Sequence, residues 1–136
     1  MSQDICAAAI GCIDGRAAIP TLQFLQNYLQ VDHVDFIASV DPVQAFWQNK
    51  TAEIEAIKRQ IAASLNMRRV KIIAVVAHYS DDKATATRDE HFTIISDCVR
   101  EIAHWSREAR VLGLWINERW QAEIIIDSWS AKTEAA

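Results

Sequence analysis

Two long apolar stretches constrain the fold of this chain more than any other feature of its sequence. Residues 5–13 and residues 70–77 consist of small and branched apolar side chains, apart from Lys71. Apolar runs of this length without alternation are typical of strands that are buried on both faces, as in a parallel sheet. We therefore expect both stretches to be central strands.

Helical patterns separate the predicted strands. The first helix has Pro20 near its start, where proline is tolerated. Its apolar face consists of Ile19, Leu22, Leu25 and Leu29. Asp41 can cap a second helix that begins at Pro42. The other predicted elements are a strand over 34–40, helices over 51–66 and 92–109, a strand over 111–116 and, after a turn at 117–119, a last strand over 120–126.

The resulting order, β-α-β-α-β-α-β-β, predicts an α/β fold with three layers. Its centre is a mainly parallel sheet of about five strands with helices on both faces, and the last hairpin adds an antiparallel edge strand. The chain has 136 residues, only three glycines and two prolines, and no linker or repeat. We therefore expect a single domain over residues 1–136.

Composition narrows the classes of function. The formal net charge of -4 argues against a nucleic-acid-binding surface, which needs a basic patch. Gly11 and Asp14 interrupt the first apolar stretch, so we expect no membrane span. The first residues lack the positive charge of a secretory signal, and three cysteines do not form a disulfide framework. A cytoplasmic protein with reduced thiols is the expectation.

Each of the two apolar stretches ends in a group of polar residues. If the two strands are neighbours in a parallel sheet, both groups lie at the same edge, where ligands bind in such folds. Thiolate, imidazole and carboxylate groups can all ligate zinc, and an aspartate can pair with a nearby arginine. The first group contains Cys12, Asp14 and Arg16, and the second contains His78, Ser80 and Asp81.

The segment Cys12-Ile13-Asp14-Gly15-Arg16 resembles the Cys-x-Asp-x-Arg motif of the β-class carbonic anhydrases. It is most similar to small bacterial members that contain Asp-Gly-Arg. The second motif of that family, His-x-x-Cys at the end of the next central strand, corresponds here to the segment from His78 to Asp81. The order and spacing of both motifs fit, and the resemblance covers most of the chain.

The resemblance implies a function and roles for individual residues. Cys12 and His78 match the first two zinc ligands of the family, and Asp14 and Arg16 match its catalytic dyad. In the family, this aspartate either accepts a hydrogen bond from zinc-bound hydroxide or ligates the zinc itself. The implied reaction is the reversible hydration of carbon dioxide to bicarbonate. The implied assembly is a homodimer, whose contact surface would include the tryptophan-rich last hairpin.

The sequence departs from the family at the second motif. Asp81 replaces the second ligand cysteine, and residues 82–84 replace a segment that usually contains glycine. A carboxylate oxygen can bind zinc at about 2.0–2.2 Å, so Asp81 is our candidate for a third ligand. Thiolates are softer ligands and favour zinc more strongly, so this substitution leaves zinc affinity and activity open.

Each candidate residue also has a purely structural interpretation. Cys12 can be a small buried apolar residue, and His78 can be a histidine capped by the backbone. Asp14 and Arg16 can form an ion pair in a protein that has lost its metal, and Asp81 can be a loop residue or an N-cap. Two functional alternatives to a zinc enzyme follow. One is a catalytically inactive protein with a binding or assembly role, and the other is a related lyase or hydrolase that acts on another small substrate.

Overall fold

The computed structural model describes residues 4–39, 42–80 and 87–129, and it confirms the predicted three-layer α/β fold. A five-stranded sheet lies between helices on both faces. Two helices connect the second strand to the third, as the predicted helices at Pro42 and over 51–66 indicated, although the predicted order counted them as one. The elements are β1 (Cys6–Cys12), α1 (Gly15–Tyr28), β2 (His33–Ser39), α2 (Pro42–Trp47), α3 (Thr51–Arg68), β3 (Ile72–His78), α4 (Arg88–Trp105), β4 (Arg110–Ile116) and β5 (Ala122–Asp127).

The strand order of the sheet is β2-β1-β3-β4-β5. The first four strands are parallel, and β5 pairs antiparallel to β4 as the predicted edge strand. The chain passes from β1 outward to β2 and then returns past β1 to form β3. The direction of strand progression therefore reverses between β1 and β3, which is where open α/β sheets bind their ligands.

The side chains of the central strands alternate between two apolar cores. In β1, Ala8 and Ile10 face the core that α2, α3 and α4 cover. Ala7 and Ala9 face the other core, which α1 covers. All four side chains are fully buried, which explains why the sequence of this strand shows no alternation of apolar and polar residues.

The helix α1 differs from its prediction in both position and orientation. It begins at Gly15, so Pro20 lies inside the helix rather than near its start. Ile19 is 59% exposed, and the buried residues of the helix are Ala17, Thr21 and Leu25. The small side chains at two of these positions allow the helix to pack closely on the sheet, and this packing overrides the larger apolar face that the sequence suggested.

The helix α4 begins at Arg88, four residues before its predicted start. Thr87 and Glu90 form a reciprocal capping box, in which each side chain accepts a hydrogen bond from the backbone of the other residue. This box satisfies the backbone donors that a helix leaves unpaired at its start. Asp41, the predicted cap of α2, lies outside the described residues. Among the described helices, none combines the length and apolar content needed to cross a bilayer.

We expect Gly113→Ala to destabilise the fold by about 1–3 kcal/mol, because there is no room for a methyl group in the middle of β4. A Cβ atom at this position would lie 2.3 Å from Cγ2 of Ile95 and 2.8 Å from Cγ2 of Ile126. Gly15→Ala is the matched control, because a Cβ atom there meets nothing within 4 Å. Urea unfolding should show little decrease, or a small increase, in the free energy of unfolding of Gly15→Ala. Equal losses in the two variants would contradict the packing described here.

Candidate active site

Cys12 and His78 end two neighbouring parallel strands at the same edge of the sheet. The last registered pair between β1 and β3 is Ile10 with Val75. Cys12 lies two residues beyond that pair on β1, and His78 lies three residues beyond it on β3. Both side chains are partly buried. The two strands are thus neighbours, which is the condition under which the sequence placed both polar groups at one edge of the sheet.

The two side chains continue different faces of the sheet. Cys12 has the strand parity of Ala8 and Ile10, and His78 has the parity of Ala74 and Val76, which belong to the opposite core. An ion that contacts both side chains must therefore lie beyond the edge of the sheet, rather than within either core.

Asp14 is the N-cap of α1 and, at the same time, the partner of Arg16. Its carboxylate accepts a hydrogen bond from the backbone N–H of Arg16 at 3.0 Å. The guanidinium group of Arg16 donates from Nε to Oδ1 at 3.1 Å and from Nη2 to Oδ2 at 2.7 Å. This two-pronged geometry fixes both carboxylate oxygens, whereas a single contact would leave the carboxylate free to rotate.

These contacts hold the pKa of Asp14 well below its ordinary value of 3.8, at about 2. The side-chain hydrogen bonds from Arg16 make the largest contribution, followed by the backbone hydrogen bond. His78 makes the smallest contribution to this lowering, which places it near the Asp14 carboxylate. Asp14 is therefore ionised at any physiological pH.

The imidazole of His78 is held by a backbone carbonyl. Its Nδ1 lies 2.7 Å from the carbonyl oxygen of Tyr79. A carbonyl oxygen can only accept a hydrogen bond, so Nδ1 carries a proton. In the neutral imidazole, the lone pair is then on Nε2. Histidine ligands of metals are usually oriented in this way, with one ring nitrogen donating to the protein and the other binding the metal.

Trp120 is a residue at this edge that the sequence analysis missed. The last strand was predicted to begin at Trp120, but β5 begins at Ala122 and Trp120 lies in the turn before it. The centre of its ring is 4.8 Å from Cζ of Arg16 and 6.3 Å from the ring of His78. A cation–π contact at a partly exposed site contributes about 0.5–1 kcal/mol. No local sequence signal predicts these contacts, because they join the β4–β5 turn to α1 and β3.

The described residues supply only part of a metal site. Asp81, the predicted third ligand, lies outside them. Among residues 4–39, 42–80 and 87–129, no group of three or more histidine, cysteine or acidic side chains could hold a metal ion. The donor types of Cys12 and His78 nevertheless suit zinc, which binds sulfur and imidazole nitrogen.

The other cysteines have different surroundings. Cys98 lies on the buried face of α4, and burial raises the pKa of its thiol to about 12. It therefore stays protonated at neutral pH, as expected for a core residue and unlike a metal ligand. Cys6 is at the opposite end of β1 from Cys12 and packs against the core.

The family model described as "Putative carbonic anhydrase" matches residues 2–126 of the chain. The chain belongs to this family. The match includes both apolar stretches and all five candidate site residues, and it confirms the family resemblance that the sequence motifs indicated.

A search of solved structures found a similar fold in β-carbonic anhydrases of the filamentous ascomycete Sordaria macrospora, which are tetrameric. The identity is 14%, the TM-score is 0.46, and the alignment covers 90% of this chain and 81% of the other. A search of curated protein sequences found no significant match.

For this carbonic anhydrase family member, we expect Asp14→Asn to lower the free energy of unfolding at neutral pH by about 0.5–1 kcal/mol. Asparagine can still cap α1, but the charge that pairs with Arg16 is lost. Because the pKa of Asp14 is lower in the folded state, its stabilisation is present above pH 3.8 and is lost as the pH falls toward about 2. Urea unfolding at several pH values should show the difference between wild type and variant shrinking over this range.

Asp97→Asn is the control for the Asp14 substitution. Asp97 contacts Arg100 once, at 2.9 Å, on the exposed surface of α4. Its replacement should change the free energy of unfolding less than Asp14→Asn does. A difference between wild type and Asp14→Asn that stays constant from neutral pH to pH 2 would contradict the proposed ion pair.

Proposed function

We propose that this protein is a zinc-dependent carbonic anhydrase that catalyses the reversible hydration of carbon dioxide at the carboxyl edge of β1 and β3. Membership of the carbonic anhydrase family supports the reaction. The observation that carries the proposal is the Asp14–Arg16 pair, held at the start of α1 directly after β1. These strands present a thiol and an imidazole at the same edge.

Cys12 and His78 are the residues that would hold zinc. His78 already donates from Nδ1 to the carbonyl of Tyr79, so its Nε2 is the nitrogen that would bind the metal. Asp81 follows β3 by three residues and would supply a carboxylate oxygen as the third protein ligand. When bound in such a site, zinc lowers the pKa of a water molecule to about 7, so that a nucleophile forms at neutral pH.

Asp14 would act as a hydrogen-bond acceptor that orients the reacting water. An ionised carboxylate can only accept hydrogen bonds, and the contacts with Arg16 keep Asp14 ionised and fix its orientation. Arg16 would act through Asp14, because its guanidinium group is 68% exposed and directs two donors at that carboxylate. The Asp14 carboxylate is therefore oriented before the substrate binds, and it does not have to reorganise during the reaction.

The proposal also extends to the oligomeric state and the cellular location. We expect a homodimer, as the family resemblance implied, with the β4–β5 hairpin near the contact. Cys6, Cys12 and Cys98 all lie in the described part of the chain and form no disulfide, in keeping with a cytoplasmic location where thiols stay reduced. The substrates would be carbon dioxide and bicarbonate, with no nucleic acid or membrane as a partner.

The replacement of the family's second cysteine by Asp81 supports an alternative, a catalytically inactive protein with a binding or assembly role. Such a protein would keep the fold and the Asp14–Arg16 ion pair as structural features, without a metal. A related activity on another small linear molecule, such as carbonyl sulfide or carbon disulfide, would use the same residues and differ only in substrate.

The decisive measurement is zinc per chain, determined by elemental analysis of protein purified without chelator and after reconstitution with zinc. We expect about one zinc per chain in the wild type. Cys12→Ser and His78→Gln should weaken zinc binding by more than roughly 100-fold, since even the residues that orient metal ligands contribute 10–100-fold. Cys6→Ser is the matched control, because it changes the same residue type at the opposite end of the same strand.

Asp81→Cys restores the ligand type of the family and should increase zinc affinity, because a thiolate is the softer ligand. Hydration of carbon dioxide is then measured on the zinc-loaded proteins. If wild-type protein binds no zinc and Asp81→Cys does, the inactive alternative is correct. If wild-type protein binds zinc but hydrates carbon dioxide no faster than buffer, the proposed reaction is wrong and a panel with carbonyl sulfide and carbon disulfide follows.

A further inference from the structure

The turn between β4 and β5 brings an aromatic ring against the candidate site. Trp120 is partly buried and packs on the core beneath α1. Its ring contacts the guanidinium group of Arg16 at 4.8 Å and lies 6.3 Å from the imidazole of His78, at an interplanar angle of 36°. One side chain of the turn therefore contacts residues from both α1 and β3.

The backbone of Trp120 has an uncommon conformation for such a large residue. Its φ is 58°, in the left-handed region that favours glycine. Of the four described non-glycine residues with positive φ, it is the only aromatic one. Hairpin turns often place one residue in this conformation, and glycine is the usual choice. The chain thus carries a tryptophan where the backbone alone would favour glycine.

Asn117 holds the turn in this shape. Its side-chain oxygen accepts hydrogen bonds from the backbone N–H groups of Arg119 at 2.9 Å and Gln121 at 3.1 Å. Its backbone carbonyl accepts from the N–H of Trp120 at 2.9 Å, and its own N–H donates to the carbonyl of Gln121 at 3.0 Å. Backbone strain that persists under such restraint is typical of functional sites.

We propose that Trp120 is a positioning residue, which holds the guanidinium group of Arg16 in the plane that pairs with Asp14 and also borders one side of the His78 imidazole. The side chain of Arg16 is largely exposed and has many accessible rotamers, so a second restraint besides Asp14 limits its motion. A planar guanidinium group stacks on an aromatic face more specifically than an ammonium group does. A catalytic benefit from holding Arg16 in place rests on the proposed function. The contact that holds Arg16 does not depend on that function.

A simple packing role for Trp120 makes a different prediction. If the ring only fills space beneath α1, the Arg16 side chain should be equally restrained in Trp120→Leu and Trp120→Phe, because both side chains are large and apolar. If the ring face holds the guanidinium group, phenylalanine should preserve the restraint and leucine should not, because only an aromatic ring attracts a cation. Trp120→Gly adds a third case, since it suits the turn and removes the side chain.

The test is hydrogen exchange at the Arg16 Nε–H, followed by ¹⁵N NMR on the full-length, metal-free chain. We expect this proton to exchange roughly two- to fivefold faster in Trp120→Leu and Trp120→Gly than in wild type, the factor that an exposed cation–π contact supplies. Trp120→Phe should stay closer to wild type. Thermal unfolding of each variant establishes that the compared proteins are folded. If Trp120→Gly does not fold, the comparison of Trp120→Phe with Trp120→Leu is sufficient for the test.

Exchange of the Arg16 proton at the wild-type rate in Trp120→Leu would overturn the inference, and so would equal rates in the Phe and Leu variants. Hydration of carbon dioxide by the zinc-loaded proteins gives a separate readout, in which kcat should fall further in Trp120→Leu than in Trp120→Phe. If the exchange rates differ as expected but no protein hydrates carbon dioxide, the positioning role stands and the proposed function fails.

Discussion

The burial of β1 and β3 on both faces, side by side in the middle of the sheet, is the constraint on which the rest of the structure depends. A strand covered by helices on both sides has no place for a polar side chain until it ends. Because the two strands are parallel and adjacent, they end at the same edge. The polar residues that follow them are therefore brought together by the apolar core, before any contact between the polar residues themselves.

Local helix formation then fixes the position of the Asp14 carboxylate. The carboxylate of Asp14 satisfies a backbone donor at the start of α1 and also receives the Arg16 guanidinium group. The residue that caps a helix and the residue that pairs with a charged side chain are usually different. Here they share one side chain, so the position of the carboxylate is determined by the same hydrogen bonds that start the helix.

The sequence predicted the central strands and the antiparallel edge strand, because burial on both faces produces long apolar runs in a sequence. It did not show that β1 and β3 are neighbours, on which the approach of Cys12 and His78 depends. The helix boundaries were less accurate. Pro20 suggested a helix start, but the cap at Asp14 determined it. The apolar pattern that predicts a helix from residue 92 does not extend to the polar capping box of Thr87 and Glu90, which sets the actual start of α4.

The contacts of Trp120 and the role of Asp81 could not be derived from the sequence, for different physical reasons. The contacts of Trp120 depend on a left-handed backbone conformation in a turn and on the position of that turn next to α1. Neither leaves a pattern among neighbouring residues. The role of Asp81 depends on the chemistry of one carboxylate, which can ligate a metal or cap a helix equally well, and it stays a prediction.

Pro20 has a consequence for how α1 can open. In a regular helix, the N–H of residue 20 would donate to the carbonyl of Arg16, and proline has no N–H to give. The first turn of α1, which carries Asp14 and Arg16, is therefore joined to the rest of the helix by one hydrogen bond fewer than usual. The body of the helix is held on the sheet by Leu25, which is fully buried, whereas the first turn depends more on its own contacts. The Asp14–Arg16 ion pair thus lies on the part of α1 that has the weaker backbone connection to the rest of the helix.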